Sequence, residues 1–312
     1  MTCHSCRTAC RKFGKRKNRQ RYQCTQCRKV FTDARDGTLD GMYLPVESAE
    51  MILMLLLEGN SVSSVERITG VHHRTILKLL VLAGEKCERI MADKIRNLQV
   101  RDVELDEVWS FVGKKEKRVR PGEDDPNLGD CYTFVAIERH SKLVLNIAMG
   151  ERNQSTTDAF IEGLRLATRG SFQITSDGFA CYRTAVADAL EDRCSFAQLI
   201  KVYRATPEGE RRYSPAEVTS VEVVPVMGQP DPKRICTSIV ERSNLSLRMS
   251  VRRFTRLTNA FSKKWENHWA AAALWFAFYN FCRVQKSLRV TPGMAAGVTD
   301  HIWTVRELLE AA

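Results

Sequence analysis

The sequence has no apolar run long enough to cross a bilayer. Its longest, Trp269–Phe281, is about 13 residues, where a membrane span needs ~20. No apolar segment of signal-peptide type stands near its start, MTCHSCRTACRKFGKRK, which points to a cytoplasmic protein with reduced thiols. Internal repeats and low-complexity tracts are missing too, which excludes solenoid and collagen-like architectures. Acid is scarce in two places. Residues 1–36 hold 2 Asp/Glu against 11 Lys/Arg, and residues 242–289 hold 1 against 10. The net charge of +11 is therefore two local excesses of +9 around a mildly acidic remainder. Two separate cationic surfaces suit a polyanion, and nucleic acid is the first candidate partner, with no membrane role expected.

With 44% hydrophobic and 27% charged residues, the 312-residue chain has the balance of a globular protein of one to three domains. Eleven cysteines are an odd number, which a simple disulfide framework does not accommodate. Four of them form two knuckles, Cys3-x2-Cys6 and Cys24-x2-Cys27. Each CxxC turn can present two sulfurs to one ion, so the quartet predicts a tetrahedral structural zinc site, with Cys10 as a spare ligand. About 36 residues cannot bury a core of their own, so metal supplies the folding free energy of this zinc ribbon. Between the knuckles runs a basic loop in which Arg16, Lys17, Arg19 and Arg21 are candidate DNA-backbone contacts, with Phe13 and Tyr22 interleaved.

From Val46 the pattern turns helical. Helices are expected over 46–58, over 61–68 with Ser61 as cap, and over 72–90, with a turn at Thr69-Gly70-Val71. Residues 45–92 thus predict a helix-turn-helix, with Arg74 and Lys78 placed to meet DNA at the start of its second helix. His72 and His73 are adjacent, so the helical period points them to different sides, and they are read as DNA-facing or surface residues.

Beyond Arg101 the period becomes that of strands. Val103–Gly113, Cys131–Glu138 and Leu143–Met149 read as three strands, followed by a helix at 155–168, a short buried strand Phe172–Ser176 and a helix at 179–190. Five of the nine prolines fall in 207–232, so 192–236 reads as a long irregular insertion with a short strand at 221–226. Helices are expected again at 237–261 and 265–283.

Three carboxylates stand out. Asp106 lies inside a strand between apolar neighbours, where a lone charge is costly. Asp177 ends the strand FQITS, and Glu241 opens a helix. Asp102 and Glu104 share a face with Asp106, while alternation puts Glu107 on the other face. The order β-β-β-α-β-α with acids at these positions is the plan of an RNase H-like domain. Clustered acids repel unless divalent metal neutralises them, and two Mg²⁺ ions so held suit phosphodiester chemistry. The fold class expected is therefore α+β multi-domain. A zinc ribbon (1–36) and a helix-turn-helix (45–92) precede an RNase H-like mixed α/β catalytic domain (101–300).

The ordered set of double CxxC, helix-turn-helix, LDEVWSFVG, SDGFACY, IVERSNLSLR and FYNFCRVQKSLRVTPGMAAGVTD resembles the insertion-sequence-one family of bacterial DDE transposases, over nearly the whole chain. The resemblance implies a transposase that binds element ends and cleaves and joins DNA with Mg²⁺. It places the catalytic, magnesium-binding triad on Asp106, Asp177 and Glu241, and sets Asn244 and Arg248 near the scissile phosphate. It also implies bacterial, nucleoid-associated localisation and, by analogy, a homo-oligomer that pairs two ends. The long 192–236 stretch departs from the family pattern and leaves Glu217 and Glu222 as rivals for the third acid. A non-catalytic zinc and helix-turn-helix regulator, or a decayed transposase, is the alternative, and the triad discriminates against it.

Overall fold

The computed structural model describes residues 3, 6, 8–16, 19–32, 39, 42–123, 125, 127–203, 218–256 and 258–311. They form two compact units, Met1–Val46 and Glu47–Ala312.

The first unit is a three-stranded antiparallel sheet, β1 (Cys10–Arg16), β2 (Arg19–Cys24) and β3 (Val30–Thr32), in that order. The basic stretch expected as a loop is thus the β1–β2 hairpin, with Lys12 opposite Tyr22 and Arg16 opposite Arg19. Lys17 lies outside the described residues, as do the side chains of Arg16 and Arg19.

The second unit opens with α1 (Val46–Leu57), α2 (Val62–Thr69) and α3 (His73–Lys94). Ser61 caps α2 by accepting from Ser64 N, and Gly70 ends it in the left-handed region at φ 68°, which a residue without Cβ adopts freely. α3 is long because its apolar stripe, Ile76, Leu79, Leu80, Ala83, Cys87 and Ile90, packs along a later helix, α7.

The short strands β4 (Leu98–Gln99) and β8 (Thr168–Arg169) pair with each other. The main sheet contains β5 (Asp102–Val112), β6 (Gly129–Glu138), β7 (Val144–Gly150), β9 (Phe172–Ser176), β10 (Cys194–Tyr203) and β11 (Val218–Met227), in the order β11-β10-β9-β5-β6-β7. β5, β6 and β7 form an antiparallel meander. β9 and β10 are added parallel to β5 through crossovers containing α4 (Gln154–Ala167) and α5 (Cys181–Leu190). This arrangement is the RNase H-like sheet, with β11 appended antiparallel to β10.

β10 corrects the expected irregular stretch at 192–236, and β11 extends the short strand expected there at 221–226. The prolines misled because Pro225 sits on β11, the outermost strand, where proline is tolerated. Residues 204–217, with Pro207 and Pro215, lie outside the described set.

Phe134, Phe160 and Tyr182 fill the core between the sheet and α4 and α5. α6 (Ser238–Ser250) crosses β5 and β6 and is followed by a 3₁₀ turn, Arg252–Phe254, so it stops short of the expected 261. α7 (Trp265–Ala277) is buried on nearly all sides and continues as a π turn, Phe278–Cys282. A Cβ on Gly84 of α3 would lie 2.5 Å from Ala270 Cα of α7, so the close approach of these helices requires glycine. Asn280, from the π turn, closes the edge of β7: its Nδ2 donates to Val144 O and its Oδ1 accepts from Val144 N, both at 2.9 Å. α8 (Pro292–Ala295) and α9 (Val305–Glu310) complete the chain. Among the described residues no helix is long and apolar enough to cross a membrane.

Candidate active site

Asp106 and Asp177 meet because of strand register. β5 and β9 run parallel and pair up to Leu105 opposite Ser176. The next residue on each strand is an aspartate, so both side chains emerge where β9 ends. β5 continues alone against β6, with Asp106 opposite Val135. Ligating atoms of Asp106, Glu107 and Asp177 all lie within 4.8 Å of one another.

Each carboxylate is held differently. Asp106 Oδ1 accepts from the Glu107 amide at 2.9 Å, and its Oδ2 accepts from Asn244 Nδ2 at 2.8 Å. Burial, reinforced by the charges of Asp177 and Glu241, pushes the Asp106 carboxyl up to about 6. Asp177 is more open and accepts from the Phe179 amide at 3.0 Å. Glu107 is almost wholly enclosed, its side chain 4% exposed. Burial and then the nearby Asp177 raise it to about 7. Arg152 Nη2 stands 3.4 Å from Glu107 Oε2 and 3.5 Å from Asp177 Oδ2, with its guanidinium 4.0 Å over the Phe179 ring. Glu107 Oε1 is buried with no hydrogen-bond partner among the described residues, and Tyr182 stands beside this carboxyl.

That orphaned buried oxygen, in an all-oxygen carboxylate set, fits a hard divalent cation. Mutual repulsion of three acids is the cost that such a cation would relieve.

Glu241 does not join this cluster. It sits in the first turn of α6, bonded to Lys201 of β10, and accepts from Thr237 Oγ1 at 2.6 Å. Its charge adds to the raising of the Asp106 carboxyl only after burial and the charge of Asp177. Asn244, one turn on, is buried against Asp106. Arg248, a further turn on, is half-buried, with its Nε enclosed and unpartnered. Burial holds its guanidinium below the ordinary arginine range.

The two other acids on the Asp106 face are structural. Asp102 is bridged by Arg234 Nη2 at 2.6 Å and His140 Nε2 at 2.6 Å. Glu104 Oε2 accepts from the Ile239 and Val240 amides at 2.8 and 2.9 Å, and so ties the start of α6 to β5. Of the rivals for the third acid, Glu222 lies exposed on β11 opposite Ile200, and Glu217 is outside the described residues.

Sequence reasoning set Glu107 aside because alternation turns it to the opposite face of β5. It does face the α5 side, as its neighbour Tyr182 shows. The cluster forms because Asp177, at a strand end, is reached from both faces. Arg152 gave no signal beyond being a cation just after β7.

In the first unit the four knuckle cysteines converge. Sγ atoms of Cys3 and Cys27 are 3.5 Å apart, and those of Cys6 and Cys24 are 3.3 Å apart. The Cys27 amide donates to Cys24 Sγ at 3.4 Å. Tetrahedral Zn–S bonds of about 2.3 Å separate sulfurs by about 3.8 Å, so the quartet fits zinc. Cys10 stays out of this group and donates to Thr8 O at 3.6 Å. Arg21 stacks 5.4 Å over Phe13, on the exposed hairpin. In the helix-turn-helix, Arg74 and Lys78 are both exposed, one turn apart on α3. His72 caps α3, and His73 pairs with Glu66 at 3.2 Å.

No family model and no curated protein matches the sequence. Among solved structures, the chain is similar to a piggyBac transposase synaptic complex with hairpin DNA. That match has a TM-score of 0.38 and 10% identity, and covers 85% of this chain and 69% of that one. It is also similar to a Mos1 transposase paired-end complex with the left transposon end, at TM-score 0.21 and 15% identity over 49% of this chain and 60% of that one. The Mos1 strand transfer complex matches at TM-score 0.21 and 17% identity, covering 49% and 59%.

Proposed function

We propose that this chain is a DDE-type transposase that binds the ends of a mobile element and carries out metal-dependent cleavage and strand transfer on DNA. The observation that carries the reading is the register of β5 on β9, which delivers Asp106 and Asp177 side by side at a strand end.

Asp106 and Asp177, with Glu107 beside them, would hold Mg²⁺, which would supply polarisation of the scissile phosphate and activation of the attacking hydroxyl; Glu241, the third acid that the resemblance implies, would complete the set on leaving Lys201. The chain's own residues prepare that site. Asn244 orients Asp106 through its amide. Glu104 fixes the first turn of α6, which carries Glu241. Arg152 neutralises Glu107 and Asp177 and keeps the aspartate aimed at the cluster. Arg248 is the cation for the phosphate beside Asn244. The zinc-held hairpin, through Arg16, Lys17, Arg19 and Arg21, would grip the backbone, while Arg74 and Lys78 would enter a groove. Pairing two ends calls for at least two copies.

The test is a strand-transfer assay on a linear fragment carrying the flanking element ends. Asp106→Asn, Asp177→Asn and Glu241→Gln should each lower cleavage and transfer by ~10³-fold or more while leaving end binding intact. If all three variants transfer strands like wild type, the mechanism falls. If wild type binds ends and performs no chemistry with Mg²⁺ or Mn²⁺, the non-catalytic regulator is the better reading.

A further inference from the structure

A cavity of about 530 Å³ opens on the side of α6 away from Lys201, between that helix, the β6–β7 turn and the segment after α7. Its walls carry four cations, Lys142, Arg242, Arg283 and Lys286, and no Asp or Glu. Among the described residues none of the four forms an ion pair with a carboxylate. Lys142 donates to Ser287 Oγ, and Arg283 Nη1 reaches Ser250 Oγ at 3.5 Å. Neither bond offsets charge. Lys142 also holds a left-handed backbone, φ 59°, which costs a residue with a Cβ free energy that its neighbours must offset. Gln285, another wall residue, has a buried Nε2 with no acceptor.

Four cations around one concavity, of which among the described residues Arg283 alone meets an aromatic ring, Trp275 at 5.3 Å, repel each other, and a buried amide donor without a partner is costly. Both costs vanish when an oxyanion with several acceptor oxygens occupies the space. We propose that this cavity is a phosphodiester-binding site that seats the backbone of duplex DNA across α6 from the acid cluster. A helical turn connects the two places. Glu241 faces Lys201 of β10, and Arg242, the next residue, lines the cavity together with Lys142 of the β6–β7 turn. DNA held here therefore lies across α6 from the strand-end acids. The inference deepens the transposase reading and rests on it only for the identity of the polyanion.

The experiment measures binding of the full zinc-loaded chain to a random-sequence duplex, without added Mg²⁺, over a salt series. Arg242 and Lys286 are exposed and pair with no acid, so Arg242→Gln/Lys286→Gln should melt like wild type. Each lost phosphate contact removes about 0.9 from the slope of log K against log salt, so the double variant should lose about 1.8, alike for every duplex. Ser246→Glu, which puts an anion into the same wall, should weaken binding in the same way. An unchanged slope in both variants overturns the site, whether or not the protein transfers strands. An unchanged slope with loss of inorganic phosphate binding, followed by ³¹P NMR, also overturns it, in favour of a free-anion pocket. A reduced slope in a protein that proves unable to cleave DNA keeps the site and defeats the catalytic reading instead.

Discussion

Glu104→Ala probes the link between the two elements that carry the acids. Its carboxylate is the acceptor for the Ile239 and Val240 amides at the start of α6. Arg139 is its only charged partner among the described residues, at 3.9 Å. Removal leaves two enclosed N–H groups without acceptors, at about 1–3 kcal/mol each. Part of that is returned, because burial already holds the Glu104 carboxyl above its ordinary range, so its own desolvation is relieved. A net loss of about 2–4 kcal/mol is expected. Glu104→Gln keeps an acceptor of the same shape and should lose about 1 kcal/mol. The functional effect follows from position: a frayed first turn displaces Glu241, and misplacement by about 1 Å costs of order 10²-fold in rate. Denaturant midpoints and strand-transfer rates, measured on both variants across a Mn²⁺ titration, separate the effects. Glu104→Ala should need more metal and transfer slowly even when it is folded, and Glu104→Gln should restore most of both. Wild-type stability and metal dependence in Glu104→Ala would refute the proposed coupling of α6 to β5.

Three further expectations concern the rest of the molecule. His268 is buried between the hydroxyls of Ser110 and Ser262, and burial holds it down to about 3 from an ordinary 6.5. The folded protein thus resists a proton that the unfolded chain accepts. Stability is complete above pH 6.5 and falls by about 1.4 kcal/mol per unit below it, about 2 kcal/mol by pH 5. Urea midpoints of His268→Gln should lack this dependence, and an identical pH slope in both proteins would contradict it. Gly84→Ala should destabilise by about 1–3 kcal/mol through overpacking against Ala270, read as a lowered melting temperature; an unchanged melt would show that α3 and α7 pack less closely. Zinc chelation should unfold the β1–β2 hairpin and weaken DNA binding while the helical signal of Glu47–Ala312 persists. Full affinity in zinc-free protein would contradict that.

The parts legible in the sequence were those encoded by local rules. CxxC spacing is short-range chemistry, and the four sulfurs do converge. Alternation in VELDEVWSFV and the Asp177-Gly178 stop after FQITS marked the two strands whose register builds the site. What was hidden depends on long-range pairing. β10 was missed and β11 was read only as a short strand at 221–226, because the stretch around them is rich in proline and Pro225 is one that an edge strand tolerates. Glu107 was discarded by a sound rule about faces, which fails where a neighbouring strand ends and its last side chain serves both. Arg152 and the cation-lined cavity arise from segments far apart in the chain, and no spacing announces them.

The central claim is that Asp106 and Asp177 form one divalent-metal site. Electron paramagnetic resonance of Mn²⁺ titrated into the zinc-loaded chain tests it directly. Wild type should bind Mn²⁺ with loss of the free-ion signal, and Asp106→Asn and Asp177→Asn should each weaken that binding by about tenfold or more. Equal Mn²⁺ uptake by wild type and both variants would contradict the account.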